Sequence, residues 1–186
     1  MFEVLNGKPG MIPVILASAI LLATSPSQAA GQLNALVNGK SLHVGALEDW
    51  NENNYGLGFE YEFFSTSLWR WKVMANGFVD SVDNMSYMAG GGLHRRILDT
   101  SRFHDLYVDV GLNAFLMTRD DVNDNRPFPG ALPGLSIGNR YVGANLTYLP
   151  RKAVELMYRS DDVDRGITGI IFLQLKLNAR LFNLKD

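Results

Sequence analysis

Asp80 and Ser81 stand side by side in the segment NGFVDSVDNMSY, directly after a stretch whose alternation predicts a β-strand. A carboxylate next to a hydroxyl commonly caps backbone groups in a turn. The same two groups also belong to acyl-transfer chemistry, provided that a histidine can reach them as a base. From spacing alone a turn cap is the simpler interpretation. The strands and loops around the pair must decide between a turn cap and a role in acyl transfer.

His43, in the segment SLHVG, is the histidine that the predicted strands bring nearest to this pair. It lies near the end of the first predicted strand, and the pair lies at the end of the third. If only one strand separates them, a strand spacing of about 4.8 Å places the two strand ends roughly 10 Å apart. Long side chains and a bend in a loop could shorten that gap. The sequence therefore predicts a candidate catalytic group of His43, Asp80 and Ser81.

The composition argues against a metal site and excludes sites that depend on cysteine. The chain has 186 residues and no cysteine, which excludes a disulfide, a thiolate nucleophile and a cysteine-ligated metal. Its three histidines do not share a spacing typical of metal ligands, so we expect no metal. The formal net charge of −2 does not indicate a nucleic-acid partner.

Alternation of apolar and polar residues with a period of two dominates the chain and predicts β-strands. The segment YGLGFEYEF, for example, places Tyr55, Leu57 and Phe59 on one face and Glu60 and Glu62 on the other. Eight strands are predicted, at 35–47, 55–64, 69–80, 86–97, 105–118, 131–138, 141–149 and 167–178. Several are as long as the roughly 9–11 residues that cross a bilayer at a tilt.

The connections between these strands are short and long in turn, which is typical of outer-membrane barrels. Closing the sheet would also let an apolar outer face meet lipid without an unpaired edge. We therefore predict an all-β fold, an eight-stranded antiparallel up-and-down transmembrane β-barrel. A soluble lipocalin-like barrel is the alternative, because alternation alone does not say which face meets water.

The N-terminal residues predict export. The apolar run MIPVILASAILLA is too short to span a membrane, and the segment SPSQAA follows it with small residues suited to cleavage. We interpret residues 1–29 as a signal peptide and residues 30–186 as the barrel domain. The predicted location is the outer membrane of a Gram-negative cell, and the predicted state is a monomer.

The interior of such a barrel has room for side chains or for one slim ligand. Parity points Lys72, Met74 and Phe78 of the third strand inward, and Met88 and Gly92 of the fourth. Methionine, phenylalanine and glycine there would leave a narrow, partly apolar bore. A bore of that kind suits an acyl chain.

These residues resemble the outer-membrane lipid A palmitoyltransferases, the PagP family. One similar block comprises SLHVG, NENNYGLGFEYEF and ANGFVDSVDNMSYMAGGG, and the other runs from TRDDVNDNRPFPGALPGLSIG to NLTYLP. The resemblance covers about residues 38 to 150. The second block is the more specific, because an arbitrary barrel has no reason to space prolines in that order.

The resemblance implies transfer of a palmitoyl or similar chain from a glycerophospholipid donor to lipid A, without a cofactor. It implies that His43, Asp80 and Ser81 are functional and that Gly92 forms the floor of the acyl-chain site. Pro133 and Pro150 match the family's lateral opening for lipid between strands six and seven. Asn38 and Asn54 stand where the family has prolines at a second opening, which puts that opening in doubt.

Two other functions are compatible with the same sequence. A non-catalytic structural or adhesive barrel would have a filled polar interior and would be indifferent to loss of His43. A phospholipase-like hydrolase would use the same site with water as the acceptor. Arg119, in a predicted external loop, is expected to contact lipid A phosphates, which arginine suits.

Overall fold

Eight β-strands and two short helices form the part of the chain that the computed structural model describes, residues 31–158 and 166–179. The strands are β1 Gln32–Val44, β2 Asn53–Glu62, β3 Trp69–Val79, β4 Met85–Thr100, β5 Leu106–Met117, β6 Phe128–Gly138, β7 Val142–Pro150 and β8 Gly169–Asn178. The helices are α1 Asp120–Asn123 and α2 Arg151–Tyr158. All eight predicted strands are confirmed. The predicted signal peptide lies outside the described residues.

The strands form a closed antiparallel barrel in sequence order. Each strand pairs with its neighbours in sequence, and β1 closes the barrel against β8 from Asn34 opposite Asn178 to Val44 opposite Gly169. The predicted up-and-down topology is confirmed. Closure gives every strand two neighbours, although β6 and β7 pair along only part of their length.

Most of the buried side chains inside the barrel are polar or charged, and apolar side chains cover its outside. Glu60, Lys72 and Lys176 are at most 2% exposed, whereas Leu57 is 71% exposed and Leu112 is 65% exposed. This is the reverse of the usual distribution in a soluble protein. The predicted inward face of β3 is confirmed, since Lys72, Met74, Asn76 and Phe78 are all buried. Four aromatic side chains near the strand ends face outward: Tyr55, Trp69, Trp71 and Tyr148.

The barrel has two unlike ends. The connections 45–52, 80–84 and 118–127 lie at one end, here called the loop end, together with residues 151–158 and 166–168. The connections 63–68, 101–105 and 139–141 lie at the other, the turn end. None of the helices in the described part of the chain is long and apolar enough to cross a membrane.

A buried network of charges occupies the interior toward the turn end. Lys176 Nζ lies 2.6 Å from Glu60 Oε1, and Arg96 Nε donates to Asp109 Oδ1 at 2.8 Å. Lys72 Nζ lies 3.8 Å from Asp109 Oδ2. Because buried charges must be paired to be tolerated, each of these groups depends on the others. The network fills the bore below the middle of the barrel.

Candidate active site

A cavity of about 120 Å³ lies inside the barrel above the charge network. Its apolar wall includes Met74, Phe78, Met88, Phe115, Leu132 and Phe172. Asp80, Ser81 and Arg119 line it where the strands reach the loop end, and His94 and Asn113 line it deeper in the barrel. The cavity therefore matches the predicted narrow bore, with charged and hydroxyl groups at its rim.

Asp80 is a turn cap and also lines this cavity. Its Oδ1 accepts hydrogen bonds from the backbone N–H groups of Val82 and Asn84, both at 3.0 Å. Its Oδ2 accepts a hydrogen bond of 2.8 Å from the Ser86 hydroxyl. Asp80 thus caps the turn, as the simpler interpretation of the sequence predicted. With both oxygens engaged, Asp80 is better suited to holding the turn than to removing a proton.

Ser81 follows Asp80 in the turn that ends β3, and both residues line the cavity. In a continuing strand their side chains would point to opposite faces, so the turn is what brings the two together. The Ser81 side chain is partly exposed, and its hydroxyl makes no hydrogen bond within the described residues. Its hydroxyl is therefore available to a ligand in the cavity.

His43 lies on a neighbouring cavity of about 490 Å³ that the 45–52 connection helps to form. Its ring stacks on Trp50 with 5.4 Å between centroids, and its Nδ1 lies 3.9 Å from Glu52 Oε1. The His43 backbone N–H donates to the same Glu52 oxygen at 3.2 Å. The structure therefore groups Asp80 with Ser81 and places His43 beside Glu52.

Asn51 links these two parts of the site, and the sequence did not single it out. Its backbone N–H donates to the Ser81 carbonyl oxygen at 3.0 Å, and its Nδ2 donates to Asp83 Oδ1 at 2.7 Å. Glu52, the next residue, contacts His43. Two adjacent residues thus connect the histidine to the Asp80–Ser81 turn. Their place in the segment NENNYGLGFEYEF was the signal that could have found them.

Arg119 does not extend outward toward solvent as the sequence suggested. It is 8% exposed and lines the cavity, with its Nε 3.8 Å from Asp80 Oδ2. It also donates two hydrogen bonds to Asp121, at 2.9 and 2.8 Å, and one of 3.0 Å to the Tyr158 hydroxyl. Burial alone would raise the pKa of Asp121, but the hydrogen bonds from Arg119 and Tyr158 hold that pKa below its ordinary value.

The lower boundary of the cavity is a polar pair, His94 and Asn113, whose Nε2 and Oδ1 atoms lie 2.9 Å apart. Gly92 is buried and faces this pair, and a Cβ added there would overlap the Asn113 oxygen. Gly134 packs against the Asn113 amide from the other side. The inward direction predicted for Gly92 is confirmed. Its role as the floor stays a prediction, and the neighbouring side chains of His94 and Asn113 were not foreseen.

The cavity extends to an incomplete seam between β6 and β7. The two strands pair only from Gly134 opposite Thr147 to Gly138 opposite Gly143. Toward the loop end, residues 128–133 pair only with β5, and residues 148–150 pair only with β8. Leu132 and Leu149, on the two sides of this stretch, both line the cavity. Pro133 and Pro150 therefore lie along the stretch where β6 and β7 do not pair, and their role at a lateral opening for lipid stays a prediction.

Comparison with known proteins identifies the family. A protein-family model described as "Antimicrobial peptide resistance and lipid A acylation protein PagP" matches residues 37–159, more than half of the 186 residues. The chain belongs to the PagP family. The site residues predicted from the sequence all lie within the matched range: His43, Asp80, Ser81, Gly92, Pro133 and Pro150.

Two named PagP relatives agree with this assignment. The chain is similar to "Lipid A acyltransferase PagP" of Methylobacillus flagellatus, with 31% identity over 105 residues, or 56% of this chain and 55% of the relative. It is also similar to "Lipid A acyltransferase PagP" of Bordetella pertussis, with 29% identity over 106 residues and 56% of each chain covered. The chain thus spans about half the length of the curated relatives it matches.

Proposed function

We propose that this protein transfers an acyl chain, palmitoyl or similar, from a glycerophospholipid to lipid A in the outer leaflet of the outer membrane. The observation that carries the proposal is the apolar cavity, which combines a polar floor, a lateral opening at the β6–β7 seam and the Asp80–Ser81 turn at its rim. An acyl chain could enter sideways from a bilayer and place its ester beside the turn. The names of the PagP relatives support lipid A as the acceptor.

The outer surface supports a location in a membrane. Large apolar side chains project outward from the strands, and barrel closure pairs the backbone of neighbouring strands everywhere except along part of the β6–β7 seam and at the β1–β2 irregularity. In this proposal the loop end is external, the turn end is periplasmic, and residues 1–29 direct export. The partners are lipids, without nucleic acid, and the barrel acts as a monomer.

The geometry suggests a division of labour among the candidate residues. The donor acyl chain lies in the cavity, and its ester carbonyl lies beside Ser81, whose hydroxyl donates a hydrogen bond to the carbonyl oxygen. His43, held by Glu52, takes the proton of the lipid A hydroxyl as that oxygen attacks the carbonyl carbon. The donor ester bond then breaks, and the lysophospholipid leaves with the proton. Asp80 maintains the turn, and no cofactor is required because the donor is already an ester.

The experiment is a mass spectrum of lipid A from cells that lack a palmitoyltransferase. The cells express this chain, its Ser81→Ala variant, or a Ser101→Ala control at the exposed turn end. We expect lipid A heavier by one acyl group, together with lysophospholipid, for the parent and the control but not for Ser81→Ala. Each barrel is first shown to be folded in the membrane.

Two results would contradict the proposal. Release of free fatty acid with unchanged lipid A would favour the hydrolase. Unchanged lipid A and phospholipid, after the outer leaflet has been loaded with phospholipid, would favour the structural barrel. The charge network is the observation that supports this last alternative, because it gives the barrel the filled polar interior expected of a structural protein.

A further inference from the structure

The strands beside the unpaired β6–β7 stretch continue into two connections whose side chains contact each other. Residues 118–127, which include Arg119 and α1, lead into β6, and α2 follows directly after β7. Because the β6–β7 ladder ends at Gly134 and Thr147, no strand pairing holds the rims together toward the loop end. Contacts between the two connections are one means of holding them together.

Three side chains form a closed set of hydrogen bonds between these connections. Tyr158, the last residue of α2, accepts from Arg119 Nη2 at 3.0 Å and donates to Asp121 Oδ2 at 2.6 Å. Arg119 and Asp121 are joined by a two-bond pairing of guanidinium and carboxylate. Hydrogen bonds to charged partners are stronger than neutral ones, and the two-bond arrangement also fixes their geometry. The set therefore holds the two rims at a defined separation.

The same arginine contacts the candidate active site. Arg119 lines the cavity, and its Nε lies 3.8 Å from Asp80 Oδ2. The Asp80 side chain is fully buried. Asp80 in turn fixes the turn that carries Ser81 through its two bonds to backbone N–H groups. A change in the position of Arg119 would thus reach both the opening and the Ser81 turn.

We propose that Arg119, Asp121 and Tyr158 form a clasp that holds the β6–β7 opening narrow and positions Asp80. Arg119 is then a positioning residue rather than a contact for lipid phosphate. The guanidinium of Arg119 couples two movements: the opening of the clasp for a lipid and the displacement of the Asp80 turn. The identification of the passing molecule as a lipid rests on the proposed function. The mechanical role of the clasp is independent of that function.

Distance measurements between spin labels test the mechanical role without any assay of activity. The chain has no cysteine, so Ala131→Cys on β6 and Lys152→Cys on α2 give a unique labelled pair. The pair is measured in lipid nanodiscs in the parent, in Tyr158→Phe, and in Tyr87→Phe, an exposed tyrosine of β4. Loss of a hydrogen bond to a charged partner should raise the population of the open form by about tenfold or more.

We expect Tyr158→Phe to show a longer and broader distance distribution than the parent, and Tyr87→Phe to match the parent. The clasp is overturned if the Tyr158→Phe distribution equals that of the parent in a folded barrel. It is equally overturned if Tyr87→Phe broadens as much, because the effect would then be a general loosening of the barrel.

Kinetics test the positioning role. Arg119→Lys keeps the positive charge but cannot pair with Asp121 through two planar bonds. We expect Arg119→Lys to lower kcat and Tyr158→Phe to change mainly the KM for the phospholipid donor. If kcat and KM of both variants equal those of the parent, Arg119 does not have the positioning role. If the parent itself transfers no acyl group, the proposed function fails, and the spin-label distances alone decide the clasp.

Discussion

Two seams of this barrel, β6–β7 and β1–β2, differ although the PagP resemblance implies a lipid opening at each. The β1–β2 ladder runs from Gln32 opposite Glu62 to Lys40 opposite Asn53, with a bulge near Asn38. A further bond from the Ser41 N–H to the Glu52 carbonyl oxygen extends it toward the loop end at 3.0 Å. The β6–β7 ladder, by contrast, stops near the middle of the barrel.

The residues at the two seams explain much of this difference. Proline has no N–H to donate, and Pro133 and Pro150 flank the open seam. Asn38 and Asn54 keep their N–H groups, and their buried side chains add hydrogen bonds inside the barrel. Asn38 Oδ1 accepts from Gln174 at 2.6 Å, and Asn54 Nδ2 donates to the Val79 carbonyl oxygen at 2.9 Å. The doubt that these asparagines raised about a second opening is thus supported by a ladder that resumes beyond its irregularity, at Lys40 opposite Asn53.

The comparison is tested most directly by an engineered disulfide across each seam. Pro133→Cys with Tyr148→Cys would bridge β6 and β7 just above their last pair. Val37→Cys with Leu57→Cys would bridge β1 and β2 at a pair that already exists. We expect oxidation of the first variant to reduce acyl transfer to background and a reductant to restore it. Oxidation of the second should leave the rate of lipid A acylation unchanged, and an equal loss there would contradict the assignment of the open seam.

Asn51 tests whether the loop above the closed seam positions the site. Asn51→Ala removes the side-chain bond to Asp83, and loss of a hydrogen bond of this kind should lower kcat by about tenfold. Asn53→Ala is the control, since its exposed side chain makes no hydrogen bond within the described residues. The measurement is the initial rate of acyl transfer by purified barrel. A rate for Asn51→Ala equal to that of the control would remove Asn51 from the site.

Gly92 tests the depth of the bore below the open seam. Gly92→Met places a side chain against Asn113 and should shorten the transferred acyl chain by a few methylene groups, while transfer itself continues. Gly39→Met is the matched control, because a Cβ at Gly39 would meet only the Leu173 carbonyl oxygen at 3.7 Å. The readout is the acyl composition of lipid A by mass spectrometry. Unchanged chain selectivity in a folded Gly92→Met barrel would rule out Gly92 as the floor.

The smallest expected effect comes from the proline at the open seam. Pro133→Ala gives β6 an additional N–H donor, which favours extension of the ladder toward the loop end. One net hydrogen bond of about 1 kcal/mol would slow lipid access about fivefold. Ala131→Gly, at an exposed position of the same strand, controls for backbone changes in β6. An unaltered donor KM and kcat in Pro133→Ala would show that the opening does not depend on this proline.

The sequence by itself determined the strands, their inward faces and the position of the Asp80–Ser81 turn. The two-residue period that assigns Lys72 and Phe78 to the inside is a local property, because successive side chains of a strand alternate between faces. The Asp80–Ser81 turn is local as well, since Asp80 caps residues that directly follow it. Prolines likewise marked the open seam because the missing N–H is a property of the residue itself.

The tertiary structure alone decided which distant residues meet. The pairing of Arg119 with Tyr158, and that of Glu60 with Lys176, depends on strand register and barrel closure. Register is fixed by the whole sheet and cannot be inferred from the chemistry of either partner. For this reason the sequence placed Arg119 in a solvated loop, whereas the fold buries it between Asp80 and Asp121 at the rim of the cavity.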